Sequence, residues 1–150
     1  MTMARRDIRR LTAERIGAVL AESGWSESLF HPDLLGKDAR SRVHLSFAVG
    51  IGTTTPHGSV KPEDGAVSTT MVRVRWIHRM APNGQGGQVE DYDAALRAEQ
   101  DLLEAALDEA VVPELSMWFA GCEEPKAVGD GTYVVGAVRF SVGDVLPLGA

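Results

Sequence analysis

The sequence has 150 residues, the length of a single domain, and can form a hydrophobic core without disulfide bonds. Its formal net charge of −6 argues against a surface that coats nucleic acid, and its single cysteine excludes an intrachain disulfide framework. It contains no apolar run of membrane-spanning length, and no apolar signal core follows the arginines near its start. We therefore expect a protein that is made in the cytoplasm and does not bind a membrane.

The N-terminal region predicts an amphipathic helix from Thr12 to Glu22. Thr12 is a favourable N-cap residue, and a glycine at position 24 is typical of a helix end. The apolar stripe of this helix comprises Ile16, Val19 and Leu20, and Ile8 and Leu11 would extend it. The four arginines within residues 5–10 have two interpretations, a solvated first turn or an arm for an anionic partner.

Two segments of alternating hydrophobicity, residues 43–51 and 69–80, predict strands with one buried face. They should pair, because elements adjacent in sequence are usually adjacent in space. His44 and His78 would then be neighbours. On the second strand the wetter side would carry Met71, Arg73, Arg75, Ile77 and Arg79.

Residues 52–68 between these strands contain three glycines, two prolines and almost no large apolar side chains. We expect a long protruding loop that acts as a contact arm and becomes ordered against a partner subunit. A simple disordered excursion and a long hairpin with a protruding tip are the alternatives. The candidate contact residues in this segment are Thr54, His57 and Lys61.

Residues 91–111 predict a long helix with acidic residues at its start, where they complement the helix dipole. Pro113 prevents its continuation. Leu96, Leu103 and Leu107 recur at helical spacing and should cover the sheet. The acids on the other side of this helix are interpreted as a solvated face.

Two further strands are predicted over residues 115–120 and 132–142, and Gly136 in the second would allow a close approach. The order of elements predicts a single α+β domain with a mostly antiparallel sheet of four to five strands and two helices on one face. The predicted buried sheet residues are Val43, Leu45, Phe47, Val72, Val74, Trp76, Val138 and Phe140.

Motifs for catalysis or cofactor binding are not found. The glycine-rich residues 83–87 are not expected to open directly into a helix, because residues 88–91 intervene before the predicted one, and they lack the lysine of a phosphate-binding loop. The four histidines lack a metal-ligand spacing, and Cys122 lies beside Glu123 and Glu124, which disfavour a reactive thiolate. We therefore expect no catalytic residues, no cofactor and no metal. Arg73, Arg75 and Arg79 are instead candidates for contact with a partner, and a solvated face is the alternative.

The order of elements resembles that of the tail terminator proteins of long-tailed bacteriophages. The resemblance rests on the N-terminal helix Thr12–Glu22, the strand with Val43-His44-Leu45-Ser46-Phe47, and the strand with Val72-Arg73-Val74-Arg75-Trp76. The long helix that begins Asp91-Tyr92-Asp93 and the final strand 134–142 complete it. It covers nearly the whole chain as a layout of elements and contains no signature motif.

This resemblance implies a structural protein of the virion without catalytic residues. Such proteins form a ring, commonly a hexamer, at the head-proximal end of the tail tube, where the ring ends tube growth and joins the tail to the head. The implied partners are other copies of the chain, the tail-tube protein and a head-completion or neck protein. DNA would pass through the lumen without specific binding. The competing hypotheses are a small ligand-binding or regulatory domain and an enzyme whose site forms across subunits.

Overall fold

The computed structural model describes residues 3–28, 44–58, 66–80, 88–129 and 131–146. These residues form two α-helices, one short 3₁₀ turn and six strands. The elements are α1 (Arg5–Leu20), the 3₁₀ turn (Ala21–Ser23), β1 (Ser26–Glu27), β2 (Ser46–Pro56), β3 (Ala66–Arg79), α2 (Gln88–Ala106), β4 (Met117–Cys122), β5 (Lys126–Val128) and β6 (Tyr133–Leu146).

The strands form one sheet in the order β1-β2-β3-β6-β4, and β5 pairs with β6 beside β4. β1 is parallel to β2, and all other pairs are antiparallel. The predicted α+β class, with a mostly antiparallel sheet and two helices, is confirmed. The short strands β1 and β5 bring the described sheet to six strands, against the four to five expected.

The central pair of the sheet is β3 and β6, which align without interruption from Ala66 opposite Leu146 to Arg79 opposite Tyr133. Trp76 lies opposite Gly136 in this ladder, and a methyl group on Gly136 would overlap the indole ring. The predicted close approach at this glycine is therefore confirmed, because the absent side chain leaves the space that the tryptophan fills.

One face of the sheet, which we call the helix face, packs against α1 and α2. The predicted core residues Phe47, Val72, Val74, Trp76, Val138 and Phe140 are all buried there. Leu45 is only partly buried and precedes β2, which begins at Ser46 and not at position 43. Val43 lies outside the described residues.

Helix α2 spans Gln88–Ala106, so the predicted range of 91–111 is wrong at both ends, and the helix begins directly after the glycine-rich residues 83–87. Its predicted buried face is only partly correct: Leu103 and Leu107 are partly buried and pack against the core, but Leu96 is 38% exposed. The residues buried against the sheet are mainly small: Ala95, Ala98, Leu102, Ala105 and Ala106. Alanine contributes little to an apolar stripe in the sequence but allows a helix to approach a sheet closely, so the leucines misled the prediction.

Helix α1 begins at Arg5, seven residues before the predicted start at Thr12. The Ala4 N–H donates to the Asp7 carboxylate, which satisfies one free N–H at the helix start. All four arginines in residues 5–10 lie in the first turns of this helix with exposed side chains, and Arg9 and Arg10 pair with Glu27 and Glu14. This placement fits the interpretation as solvated helical turns.

The prediction of a long protruding loop over residues 52–68 is wrong at both of its ends. β2 continues to Pro56 and β3 begins at Ala66, so Thr54, Thr55 and Pro56 pair with Thr70, Thr69 and Ser68. Threonines are favoured in strands, and here they form a cross-strand ladder of small polar side chains. The alternative of a long hairpin describes these residues, and residues 59–65 lie outside the described ranges.

The last two predicted strands are present with shifted limits. The strand expected at 115–120 is β4, Met117–Cys122, and β6 extends to Leu146, beyond the expected end at position 142. Leu115 is fully buried before β4 begins. The strand β5 lies in a region expected to be a loop, where it pairs with the first residues of β6.

Candidate functional site

The second face of the sheet carries Arg73 and Arg75 of β3 and Arg139 of β6, and we call it the arginine face. Arg73 lies opposite Arg139, and Arg75 lies opposite Ala137. Arg79 lies at the exposed end of β3, where its backbone N–H donates to His44 Nδ1 at 3.0 Å. The period of two thus brings Arg73 and Arg75 together as expected and leaves Arg79 at the margin. The expectation that Ile77 lies on a wetter side is wrong, because Ile77 is buried.

Glu123, which follows β4, holds the two facing arginines. Its carboxylate accepts two hydrogen bonds from the Arg73 guanidinium, from Nε and Nη2, and Arg139 Nε lies 3.9 Å from the same group. The hydrogen bonds from Arg73 are the largest cause that lowers the pKa of Glu123 below its usual value. Glu123 therefore remains ionised and neutralises part of the positive charge on this face.

A pocket of about 290 Å³ opens on the arginine face between β3, β6 and the segment that joins β4 to β5. Its lining combines three cationic side chains, two carboxylates and three small or apolar residues. The lining residues are Arg73, Arg75, Glu123, Glu124, Lys126, Val135, Gly136 and Ala137.

Two other predicted contact residues lie at the far end of the β2–β3 hairpin. Thr54 Oγ1 is 2.9 Å from Thr70 Oγ1 and also accepts a hydrogen bond from Arg5 of α1. His57 Nε2 is 2.6 Å from Thr69 Oγ1. Thr54 and His57 lie beside the first part of β3, whereas Arg79 is its last residue, so the described structure does not gather the predicted contact residues into one site. Lys61 lies outside the described residues.

The outer edges of the described sheet are the short β1 beside β2 on one side, and β4 with β5 on the other. β1 pairs only with Ser46 and Phe47, so β2 from Ala48 onward has no second strand within the described residues. On β4, Trp118 and Phe119 are 57% and 49% exposed. Exposed aromatic side chains on an unpaired edge are typical of a contact surface.

A polar cluster on the helix face was not predicted. Trp76 Nε1 donates to Glu99 at 2.9 Å, and the Cys122 thiol also hydrogen-bonds to Glu99. Burial raises the pKa of Glu99, and burial together with the nearby carboxylate raises the pKa of the Cys122 thiol. A thiol with a raised pKa is a poor nucleophile at neutral pH, so this cluster is better suited to positioning Trp76 than to catalysis.

His44 and His78 lie side by side, with ring centroids 4.5 Å apart in an edge-to-face arrangement. The expected proximity of the two histidines is confirmed. Burial, together with His78 and Arg79, lowers the pKa of His44. Within the described ranges, no three histidine, cysteine or carboxylate side chains are close enough to form a metal site.

Among the described residues, the fully buried charged side chain is that of Arg15 in α1, which sequence reasoning missed. Its guanidinium donates to the carbonyl oxygens of Ala106, Val111, Val112 and Leu115 at 2.9, 2.7, 2.7 and 2.5 Å. It thereby satisfies carbonyls at the end of α2 and in the turn that follows. The spacing of Ile8, Leu11 and Arg15 along one helix face was the available signal for its burial.

No protein-family model matches the sequence, and no curated protein matches it. Among the helices of the described residues, none has the length and apolar character needed to cross a membrane.

Proposed function

We propose that this chain is the ring-forming subunit of a bacteriophage tail, of the tail terminator class. The ring would occupy the head-proximal end of the tail in the virion, end tube growth and join the tail to the head. Its partners would be other copies of the chain, the tail-tube protein and a head-completion or neck protein, with DNA passing through the lumen unbound. The chain would perform no catalysis.

The observation that carries this proposal is the direction of the two edge strands. The four main strands β2, β3, β6 and β4 alternate in direction, so β2 and β4 run in opposite senses. If a second copy is placed beside the first by rotation alone, its β2 meets β4 of the first copy in the antiparallel sense. Each new copy again presents an open β4, so the same contact can repeat until a ring closes.

The exposed side chains at these edges support the same arrangement. Trp118 and Phe119 would be covered by a neighbouring copy, and the open backbone of β2 would gain hydrogen-bond partners. Closing a sheet into a ring removes its edges, which otherwise favour aggregation. The helix face is filled by α1 and α2, so the arginine face would lie toward the lumen or toward the next ring. Arg73, Arg75, Arg79, Thr54, His57 and Lys61 remain the proposed contacts to the tail tube or to other subunits.

A cross-linking experiment tests the contact between edges. Cys122 at the end of β4 is the chain's single cysteine, and across the sheet it is level with Val49 of β2, through Val138 and Val74. A second cysteine at Val49 or Ile51 should therefore form an intersubunit disulfide where β4 meets β2 of the next copy. Oxidation should produce a ladder of oligomers at one or more of these positions. Cys122→Ser should abolish the ladder, and a cysteine at exposed Asp93 on α2 should produce none. Equal cross-linking from position 93 would contradict the proposal.

A charge placed on the β4 edge provides a second test. Phe119→Lys should weaken oligomer formation in sedimentation experiments with little change in melting temperature, because the side chain is half exposed. The matched control is Val89→Lys, which replaces an apolar residue that is 76% exposed on α2. Loss of assembly in both variants, or in neither, would argue against β4 as the contact.

A further inference from the structure

The two helices leave one strand of the helix face largely uncovered. α1 packs over β2, and α2 packs over β3 and β6, whereas β4 lies beyond α2 at the edge of the sheet. Phe119 of β4 lies opposite Phe140, a buried residue of the helix face, so the half-exposed ring of Phe119 is on that face too. A groove therefore runs along the helix face between α2 and the β4 edge.

One side of α2 forms the second wall of this groove. Glu99 hydrogen-bonds to the Cys122 thiol at the end of β4, so the side of α2 that carries Glu99 is turned towards β4. Leu96 lies three residues before Glu99 and Leu103 four residues after it, and they share this side. Leu96 is exposed and Leu103 is only partly buried, so the wall is apolar and incompletely covered.

The outer rim of the groove is polar and acidic. Gln100 donates to Glu104 at 3.1 Å, and both side chains are exposed next to the apolar wall. The whole helix Gln88–Ala106 contains six acidic residues and one arginine. A segment that fits the groove therefore combines apolar contact with positive charge.

The same chain presents a basic segment at its opposite edge. Residues 5–10, the first turns of α1, contain four arginines and one aspartate, so they keep a positive charge even though some of the arginines pair with nearby carboxylates. Arg5 donates to Thr54, which lies on the part of β2 that is open within the described residues. The side chain of Arg6 is 91% exposed. These turns thus lie above the β2 edge on the helix face.

We propose that the first turns of α1 from the next copy fill the groove, so that the helix layer continues around the ring together with the sheet. This inference rests on the proposed contact between β4 and β2. Across the sheet Thr54 is level with Met117 of β4, so the contact would bring residues 5–10 of the next copy beside Phe119 and the second half of α2.

The spacing of the layers agrees with this arrangement. Strands lie about 4.8 Å apart, so α1 of the next copy, above its β2, would be two to three strand spacings or about 10–14 Å from α2. Packed helices lie about 8–10 Å apart. The ring of Phe119 and the long arginine side chains can fill the difference, and Arg6 would then reach the carboxylate of Glu104.

A charge exchange in the full chain tests this contact by sedimentation. Arg6→Glu and Glu104→Arg should each raise the concentration needed for half-maximal assembly by at least about threefold, and the combined variant should restore it. Melting temperatures should change little, because both side chains are exposed. Asp101→Arg is the matched control, since Asp101 shares its side of α2 with the buried Ala98 and Ala105, and it should assemble normally.

Cross-linking locates the contact independently. In a Cys122→Ser background, cysteines at Arg6 and Gln100 should give a ladder of oligomers with a short bismaleimide. Arg6 lies nine residues before Arg15, about two and a half turns, so it points away from α2 of its own copy, which Arg15 contacts. A cysteine at Val89 in place of Gln100 lies about 16 Å further along the helix and should give no ladder.

The outcomes separate this inference from the proposed ring. Disulfide ladders between Cys122 and a cysteine at Val49, together with normal assembly of both single charge variants, would overturn the inference and leave the ring standing. Failure of the combined variant to restore assembly, or equal bismaleimide ladders from positions 89 and 100, would also overturn it. An unaltered chain that stays monomeric would overturn both proposals.

Discussion

The arginines on the two sides of the sheet have opposite surroundings. On the helix side, Arg15 is fully buried and donates to four backbone carbonyls, so it joins α1 to the end of α2. On the arginine face, Arg73 is about one-third exposed and pairs with a carboxylate that Arg139 also approaches. The comparison indicates that the helix side maintains the fold, whereas the arginine face keeps its charge near solvent, where a partner or ligand can reach it.

The largest effect should come from Arg15→Ala. Removal of the guanidinium leaves several buried carbonyl oxygens without donors, and we expect a loss of about 3–5 kcal/mol in the free energy of unfolding. Urea denaturation measures this loss, and Arg97→Ala on the exposed side of α2 is the control. A loss below about 1 kcal/mol would show that water or other groups replace the guanidinium.

The next effect tests which side of α2 faces the sheet. Leu102 is fully buried and Leu96 is 38% exposed, so Leu102→Ala should cost about 2–5 kcal/mol and Leu96→Ala less than about 0.5 kcal/mol. Thermal melts of the two variants provide the comparison. A larger loss of stability for Leu96→Ala than for Leu102→Ala would mean that the side of α2 predicted from the leucine spacing contacts the sheet, which would contradict the packing described above.

The two unusual glutamates should give opposite pH dependences. The pKa of Glu99 is raised in the folded state. As the pH rises from the ordinary pKa of a glutamate to this raised value, the unfolded chain loses its proton more readily than the folded chain, so the free energy of unfolding decreases. The pKa of Glu123 is lowered, so its contribution is present above its ordinary pKa and disappears as the pH falls to the lowered value.

Denaturation of Glu99→Gln and Glu123→Gln between about pH 3 and pH 7 separates these contributions. As the pH rises, the free energy of unfolding of Glu99→Gln should increase relative to that of the parent, and that of Glu123→Gln should decrease relative to it. Parallel curves for the parent and both variants would show that neither carboxylate experiences the environment described.

The smallest effect is expected at the Arg73–Glu123 pair. Because both side chains are partly solvated, Arg73→Ala should cost no more than about 1 kcal/mol, far less than Arg15→Ala. A double-mutant cycle with Glu123→Ala isolates the coupling between the two groups. A coupling as large as the loss at Arg15 would mean that this pair maintains the fold and is not available to a partner.

The residues that could be predicted from the sequence are those whose pattern is local. Alternation over 69–80 placed Val72, Val74 and Trp76 on one face and Arg73 and Arg75 on the other, and the absent side chain of Gly136 indicated a close approach. These features follow from a period of two and needed no knowledge of distant residues.

The residues that could not be predicted depend on partners distant in sequence. Arg15 contacts carbonyls more than 90 residues away, and Glu123 pairs with an arginine 50 residues earlier. Alanines on α2 carry too weak an apolar signal to compete with Leu96 and Leu103. The threonines after Gly52 favour a strand, but glycine and proline nearby suggested a loop, and pairing with β3 decided the outcome.

The most direct test of the central proposal is the native mass of the unaltered full chain over a range of protein concentrations. If the edges of β4 and β2 join copies into a closed ring, the spectrum should contain one dominant species at a fixed whole-number multiple of the 16.1 kDa chain, with six copies expected, and no open-ended series. A chain that stays monomeric at the highest concentration would contradict the ring and favour a small ligand-binding domain.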